Sequence, residues 1–167
     1  MCPTYPTYLD GLWQWKQEAN GAASIVSRVA RAVSGHGWYL AIAADVWRLD
    51  RSLRSFLADI YEGIEKPKPR AKGAEPATDE VVLELAESFR SLYRDIDRLH
   101  SLAKRAGLTN TTLTGAAFNS VRLRAEEVLD LAETIEMLVK GNTRAIFERA
   151  LEERQSGEVY SLDQIGR

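Results

Sequence analysis

A chain of 167 residues with 45% hydrophobic and 28% charged residues has the length and balance of one globular domain with a substantial core. A net charge of −2 and a pI near 5.8 exclude a global field drawing the whole molecule to nucleic acid or an anionic membrane, so any such binding has to be local. The single cysteine, Cys2, excludes an intrachain disulfide and a thiolate zinc site, which fits a reducing cytoplasm, the expected location.

The opening stretch MCPTYPTYLDGLWQW has neither a basic start nor an apolar run and does not read as a secretory signal. Pro3 and Pro6 disfavour helix before about Leu9, so residues 1–8 read as an irregular arm. Tyr5, Tyr8, Trp13 and Trp15 load this entry with aromatic rings. They pin the arm to the side of a bundle or form a docking surface for a partner, where Tyr and Trp are favoured.

Helix 1 is expected from about residue 9 to 33, with Ala23, Val26, Ala30 and Val33 on one side and Arg28 and Arg31 on another. Core packing is its expected role; the weaker alternative is a basic amphipathic helix lying on a membrane. Ser34-Gly35-His36-Gly37 is turn chemistry and predicts a sharp reversal. Helix 2 follows from about Trp38 to Ile64, with a seam of Tyr39, Ile42, Val46, Leu49, Leu53, Phe56 and Ile60 in strict three-four alternation. The most apolar stretch, Trp38 to Trp47, contains Asp45 and is too short to span a bilayer, which needs about 20 apolar residues.

Residues 66–78, KPKPRAKGAEPAT, read as a flexible or extended linker. Lys66, Lys68, Arg70 and Lys72 make it the one basic cluster evident along the sequence. Such a cluster touches phosphates or, more simply, is a solvated loop, since no aromatic residue accompanies it for base stacking.

The longest uninterrupted pattern spans residues 79–106, where Val82, Leu85, Phe89, Leu92, Ile96, Leu99, Ala103 and Ala106 run 3-4-3-4-3-4-3. Its ends are marked as well. Thr78 is placed as an N-cap with Asp79 and Glu80 behind it, and Lys104 and Arg105 precede Gly107, a left-handed cap after which Leu108 can fold back. Helix 4 is expected from about Thr112 to Lys140, with Phe118, Val121, Ala125, Val128, Ala132, Ile135 and Val139 as its seam and Leu131 and Leu138 widening it. Gly141-Asn142 is a second stop. A shorter helix 5 then runs to about Gln155, and residues 157–167 form a flexible tail.

Each buried large seam side chain stabilises by about 1.5–3 kcal/mol, against about 0.2–0.5 kcal/mol for an exposed charge pair one turn apart. The seams therefore dictate the fold. The short connections predict two antiparallel hairpins, and the whole reads as an all-α, antiparallel four-helix bundle with a short C-terminal fifth helix. A homodimer in which hairpins associate across chains fits the same pattern.

Chemistry is sparse. Asp97 and His100 stand at the i, i+3 spacing used by bundle metal sites, but the motif is not repeated and the only other histidine, His36, sits in a turn, so no metal and no cofactor is expected. Arg94, Asp95 and His100 resemble the Arg-polar-His motif of HEPN-family helical ribonucleases. That resemblance implies RNA cleavage, with His100 as base and Arg94 stabilising phosphate; here the offset of six turns the two to different sides of a regular helix. Asp45 is a candidate buried carboxylate or a partner for Arg48 one turn on. No nucleophile turn and no glycine-rich phosphate loop is present.

The segment ERALEERQSGEVYSLDQI, residues 148–165, resembles the C-terminal ends of some bacterial antitoxins. That resemblance implies a helix and a following strand, with Val159, Tyr160 and Leu162 covering a toxin. The expectation is thus a non-enzymatic interaction or scaffold protein, self-associating or bound to another protein, with the HEPN-like ribonuclease as the alternative.

Overall fold

The structure, a computed structural model, describes residues 11–35, 37–66 and 78–139, together with Arg149 and Glu152. The apolar seams fold into four helices: α1 (Leu12–Ser34), α2 (Tyr39–Glu65), α3 (Asp79–Arg105) and α4 (Gly115–Val139). A single turn of 3-10 helix, Leu108–Asn110, joins α3 to α4. The expected fifth helix and tail lie outside the described residues, Arg149 and Glu152 apart, as do the arm over residues 1–8 and most of the 66–78 linker.

Both ends of α3 form as its sequence dictates. Thr78 is extended (φ −100°, ψ 161°) and its hydroxyl accepts the Val81 N–H at 3.4 Å, while Asp79 and Glu80 occupy the first turn. Gly107 takes φ +76°, a left-handed conformation that only glycine adopts without strain. A second glycine, Gly115, fixes the start of α4 for a different reason. A Cβ there would lie 2.7 Å from the Thr109 carbonyl oxygen, so the chain folds tightly over the 3-10 turn only without a side chain. Thr114, fully buried in the same turn, donates to the Leu108 carbonyl and pairs with the Thr111 hydroxyl.

Interhelix contacts define direction. Lys16 of α1 lies 3.6 Å from Glu84 of α3, so α1 and α3 run side by side in the same sense. Asp50 and Arg54 of α2 meet Ser120 of α4, and Tyr61 meets Glu127, so α2 and α4 are also parallel neighbours. Arg90 pairs with Glu136, and Arg122 acts on His100 from across the groove, so α3 and α4 are antiparallel. The order around the bundle is α1, α2, α4, α3. Two antiparallel hairpins therefore lie with like helices abutting, and α2 and α3, joined by residues 66–78, are diagonal. Phe56 and Phe89 come from these diagonal helices and meet edge to face, ring centroids 5.2 Å apart, in the centre of the core.

Three seams need correction. In α1 the buried stripe is Leu12, Trp15, Ala19, Ala22, Val26, Val29 and Val33, and the expected Ala23 and Ala30 lie at its edge. The larger side chains Leu12, Trp15 and Val29 set the stripe and rotate it away from the small ones. In α2, Tyr39 is exposed at the helix end, whereas Ala43, Asp50 and Leu57 are buried because α2 faces α4 as well as α1. In α3, Ala106 is the exposed C-cap rather than the last core residue.

Candidate functional site

The fold gathers charge by helix end. The α1–α2 and α3–α4 connections lie at one end of the bundle, and the start of α1, the end of α2, the start of α3 and the end of α4 lie at the other. In the first half, residues 24–51 and 93–126, ten Arg and Lys face five Asp and Glu, a net +5. In the second half, residues 12–23, 52–66, 78–92 and 127–139, four Arg and Lys face twelve Asp and Glu, a net −8. Among the described residues the charge is strongly polarised along the bundle, net +5 at one end and −8 at the other. The linker is also not the one basic cluster, because four helices contribute to a second.

The basic end is purest at its tip. Residues 28–44 and 98–122 carry Arg28, Arg31, Arg98, Lys104, Arg105 and Arg122, with no carboxylate. Arg98 reaches Asp95 at 4.0 Å, and the other five form no salt bridge among the described residues. Lys104 and Arg105 also complement the partial negative charge at the C-terminus of α3. Apolar side chains project among these cations. Trp38, the N-cap of α2, is 83% exposed and Leu40 is 69% exposed, with Tyr39 beside them and Leu113 presented by the α3–α4 connection. Trp47, also exposed, continues the apolar surface two turns down α2. These residues project because the four-helix core closes below them: Ile42 and Phe118 are the first large buried side chains of α2 and α4.

Each half is clamped by a residue of the opposite sign. In the basic half Asp50, only 4% exposed, accepts from Ser120 Oγ at 2.6 Å and lies 3.0 Å from Arg54 Nε; Arg54 Nη2 in turn donates to Ser120 Oγ at 3.1 Å. In the acidic half Arg90 grips Glu136 with two parallel hydrogen bonds of 2.8 and 2.6 Å. Both clamps hold α4, one to α2 and one to α3. In the sequence, Asp50 between Leu49 and Arg51 reads as solvent-facing, and the one local signal of its role is Arg54 one turn on.

The acidic half also holds a strongly perturbed carboxyl. Burial pushes Glu18 up to about 7, and its hydrogen bond to Asp59 with that residue's negative charge pushes the same way, while Gln14 opposes. One Glu18 carboxylate oxygen, Oε2, is buried without a hydrogen bond. A carboxyl so perturbed is a general-acid candidate, but no nucleophile lies within this pair.

The sequence candidates disperse over the structure. Trp15 is buried against the core, so it serves the fold instead of a partner, whereas Trp13 stays exposed with Lys16 Nζ 5.9 Å above its ring. Tyr5, Tyr8, Val159, Tyr160, Leu162, Lys68, Arg70 and Lys72 lie outside the described residues, and Lys66 is exposed at the end of α2. Arg94 donates to Glu87 at 2.7 Å on an exposed face. His100 instead faces α4: burial, then the positive charge of Arg122, lower its pKa, and its Nε2 is buried without a hydrogen bond. The two engage different neighbours. Asp45 pairs with Arg48 at 3.6 Å, the simpler of its two expected roles. Among the described residues no three metal-ligating side chains come together, and no helix is long and apolar enough to cross a membrane. No protein-family model matches the chain, and neither a curated protein nor a solved structure does.

Proposed function

We propose that this protein is a non-enzymatic helical interaction protein and that the basic, aromatic-tipped end of the bundle is its binding surface. One observation carries the reading: exposed Trp38, Tyr39, Leu40 and Leu113 lie at the end where five cations, Arg28, Arg31, Lys104, Arg105 and Arg122, form no salt bridge among the described residues. Large rings and aliphatic side chains cost free energy in water, and a contiguous group of them marks a surface that another body covers. Uncompensated cations around it supply steering and orientation toward a negatively charged partner. Elsewhere the polar groups are spent on holding helices together, as Asp50, Ser120, Arg90 and Glu136 show.

Site-specific photo-crosslinking in cells tests this whatever the partner is. A benzophenone amino acid in place of Trp38 is expected to give discrete adducts, and the same group in place of the exposed Met137 at the acidic end is expected to give none. Adducts of twice the chain mass would identify a second copy. Absence of adducts at position 38, or equal labelling at both positions, would overturn the reading.

A further inference from the structure

We infer that the basic end of the bundle docks end-on to an anionic lipid surface, with Trp38, Leu40 and Leu113 entering the headgroup region and the surrounding cations lying over the lipid phosphates and carboxylates. The inference rests on the reading of this end as the binding surface and names what covers it.

Shape, side-chain type and charge agree. The apolar residues stand where the chain turns at this end, Trp38 as the N-cap of α2 with Leu40 in its first turn, and Leu113 on the α3–α4 connection, so they form tips and not the walls of a groove. Tryptophan and tyrosine with a wet polar atom and an apolar body are the residues that settle at the membrane–water boundary. Leu40 and Leu113 add aliphatic surface that a nucleic-acid phosphate or a stacked base would not use, but that acyl chains accept. Arg31, Lys104 and Arg105 are in the last turns of α1 and α3, and Arg28 lies one turn further in. At about 1.5 Å per residue, Arg31, Lys104 and Arg105 fall within roughly one Debye length, about 8 Å at physiological salt, of a surface touching the tips, and Arg28 lies just beyond it. Each cation so placed favours the anionic surface by about fivefold. The described residues of the acidic half, net −8, are repelled by the same surface, which favours an end-on approach. This differs from the amphipathic α1 considered from sequence, because the cations come from α1, α3 and α4 and α1 keeps its apolar stripe in the core.

The test uses the full chain and unilamellar vesicles of phosphatidylcholine alone or with about one third phosphatidylserine, read by flotation and by the blue shift of tryptophan emission. Binding is expected for the serine-containing vesicles only and is expected to weaken steeply with salt. Lys104→Glu with Arg105→Glu is expected to reduce partitioning at least about 30-fold, two steps of fivefold or more. Trp38→Ser with Leu40→Ser is expected to reduce it about tenfold or more from the lost apolar insertion. Met137→Ser at the far end is expected to bind as the parent does. Circular dichroism and the melting midpoint verify that each variant stays folded, as expected for exposed positions. No binding to serine-containing vesicles, equal binding to neutral ones, or equal loss in the Met137 variant would overturn the inference, and so would tighter binding to a single-stranded oligonucleotide than to the vesicles. Vesicle binding failing while position 38 crosslinks to a protein removes the lipid but leaves the interaction reading; failure of both experiments removes both.

Discussion

The two ends of the bundle share one core and both expose some large apolar side chains, Trp13, Ile64 and Met137 at one and Trp38, Leu40 and Leu113 at the other, but they differ in the sign of the charge around them. At the basic end the helices close over Ile42 and Phe118 and leave Trp38 and Leu40 outside; at the acidic end Leu12 and Trp15 of α1 and Ile60 of α2 are drawn into the core. Each half nevertheless uses a residue of the minority sign as an interhelix clamp, Asp50 in the basic half and Arg90 in the acidic half. The lesson is that packing and recognition are separable here. Side chains that stabilise the helices against each other are buried or paired, and those that give an end its character are neither.

Four measurements would break or sharpen this contrast. The largest effect is expected where the ends meet. Phe89→Ala removes the ring packed edge to face on Phe56 and should cost about 3–5 kcal/mol in urea unfolding. The loss should appear as one cooperative transition in both halves; separate transitions would show that the ends fold independently.

Next come the clamps. Asp50→Ala removes the buried carboxylate that accepts from Ser120 and pairs with Arg54 and should cost about 1–3 kcal/mol, the scale of a lost hydrogen bond to a charged group. Arg90→Ala should cost less than Asp50→Ala, because the Arg90 and Glu136 side chains are each about a quarter exposed and water can replace the lost bonds. The reverse order would mean that the acidic half is the more tightly clamped.

The third effect is a pH dependence that distinguishes the halves. Glu18, in the acidic half, has its folded pKa raised to about 7 from an ordinary 4.5, so the folded state holds its proton more tightly. Its contribution to stability is complete below pH 4.5 and is lost as pH rises to about 7. His100, in the basic half, has its folded pKa lowered from 6.5, so its contribution is present above 6.5 and is lost as pH falls through the lowered value. Glu18→Gln should flatten the decline of the melting midpoint between pH 4.5 and 7, while His100→Gln should remove a fall on the acidic side of 6.5. Melting curves of both variants across pH 4.5–8 measure this, and unchanged profiles would contradict the placement of the two groups.

The smallest effect tests the tip itself. Trp38→Ala and Leu40→Ala should each change stability by no more than about 0.5 kcal/mol, as expected of exposed positions outside the core. A loss of 2 kcal/mol in either would show that the tip is packed and not available to a partner.

Most of the architecture was legible in residue order. The three-four spacing from Val82 to Ala103 specified α3 because a helix turns 100° per residue and only one stripe can face a core, and Thr78 and Gly107 marked its ends through chemistry local to the backbone. In α1 Val26 and Val33 are buried as their spacing predicts, and only Ala23 and Ala30 are displaced by one position, because alanines on both sides leave the pattern ambiguous where Ala22 and Val29 take the core. The site was hardly legible. Linear sequence displays charge along the chain, and there the basic linker stands out while Arg31, Lys104, Arg105 and Arg122 are scattered among helices.

By itself, then, the sequence determined four amphipathic helices, the caps of α3 and two hairpins, since each of these depends on interactions within a few turns. Only the tertiary structure decided which helices abut, that α2 and α3 are diagonal, that Asp50 reaches Ser120, and that six cations and four apolar side chains share one end. Those are relations between residues up to 70 or more positions apart, and seams of the same period leave open which partner each one meets until the helices close around a common core.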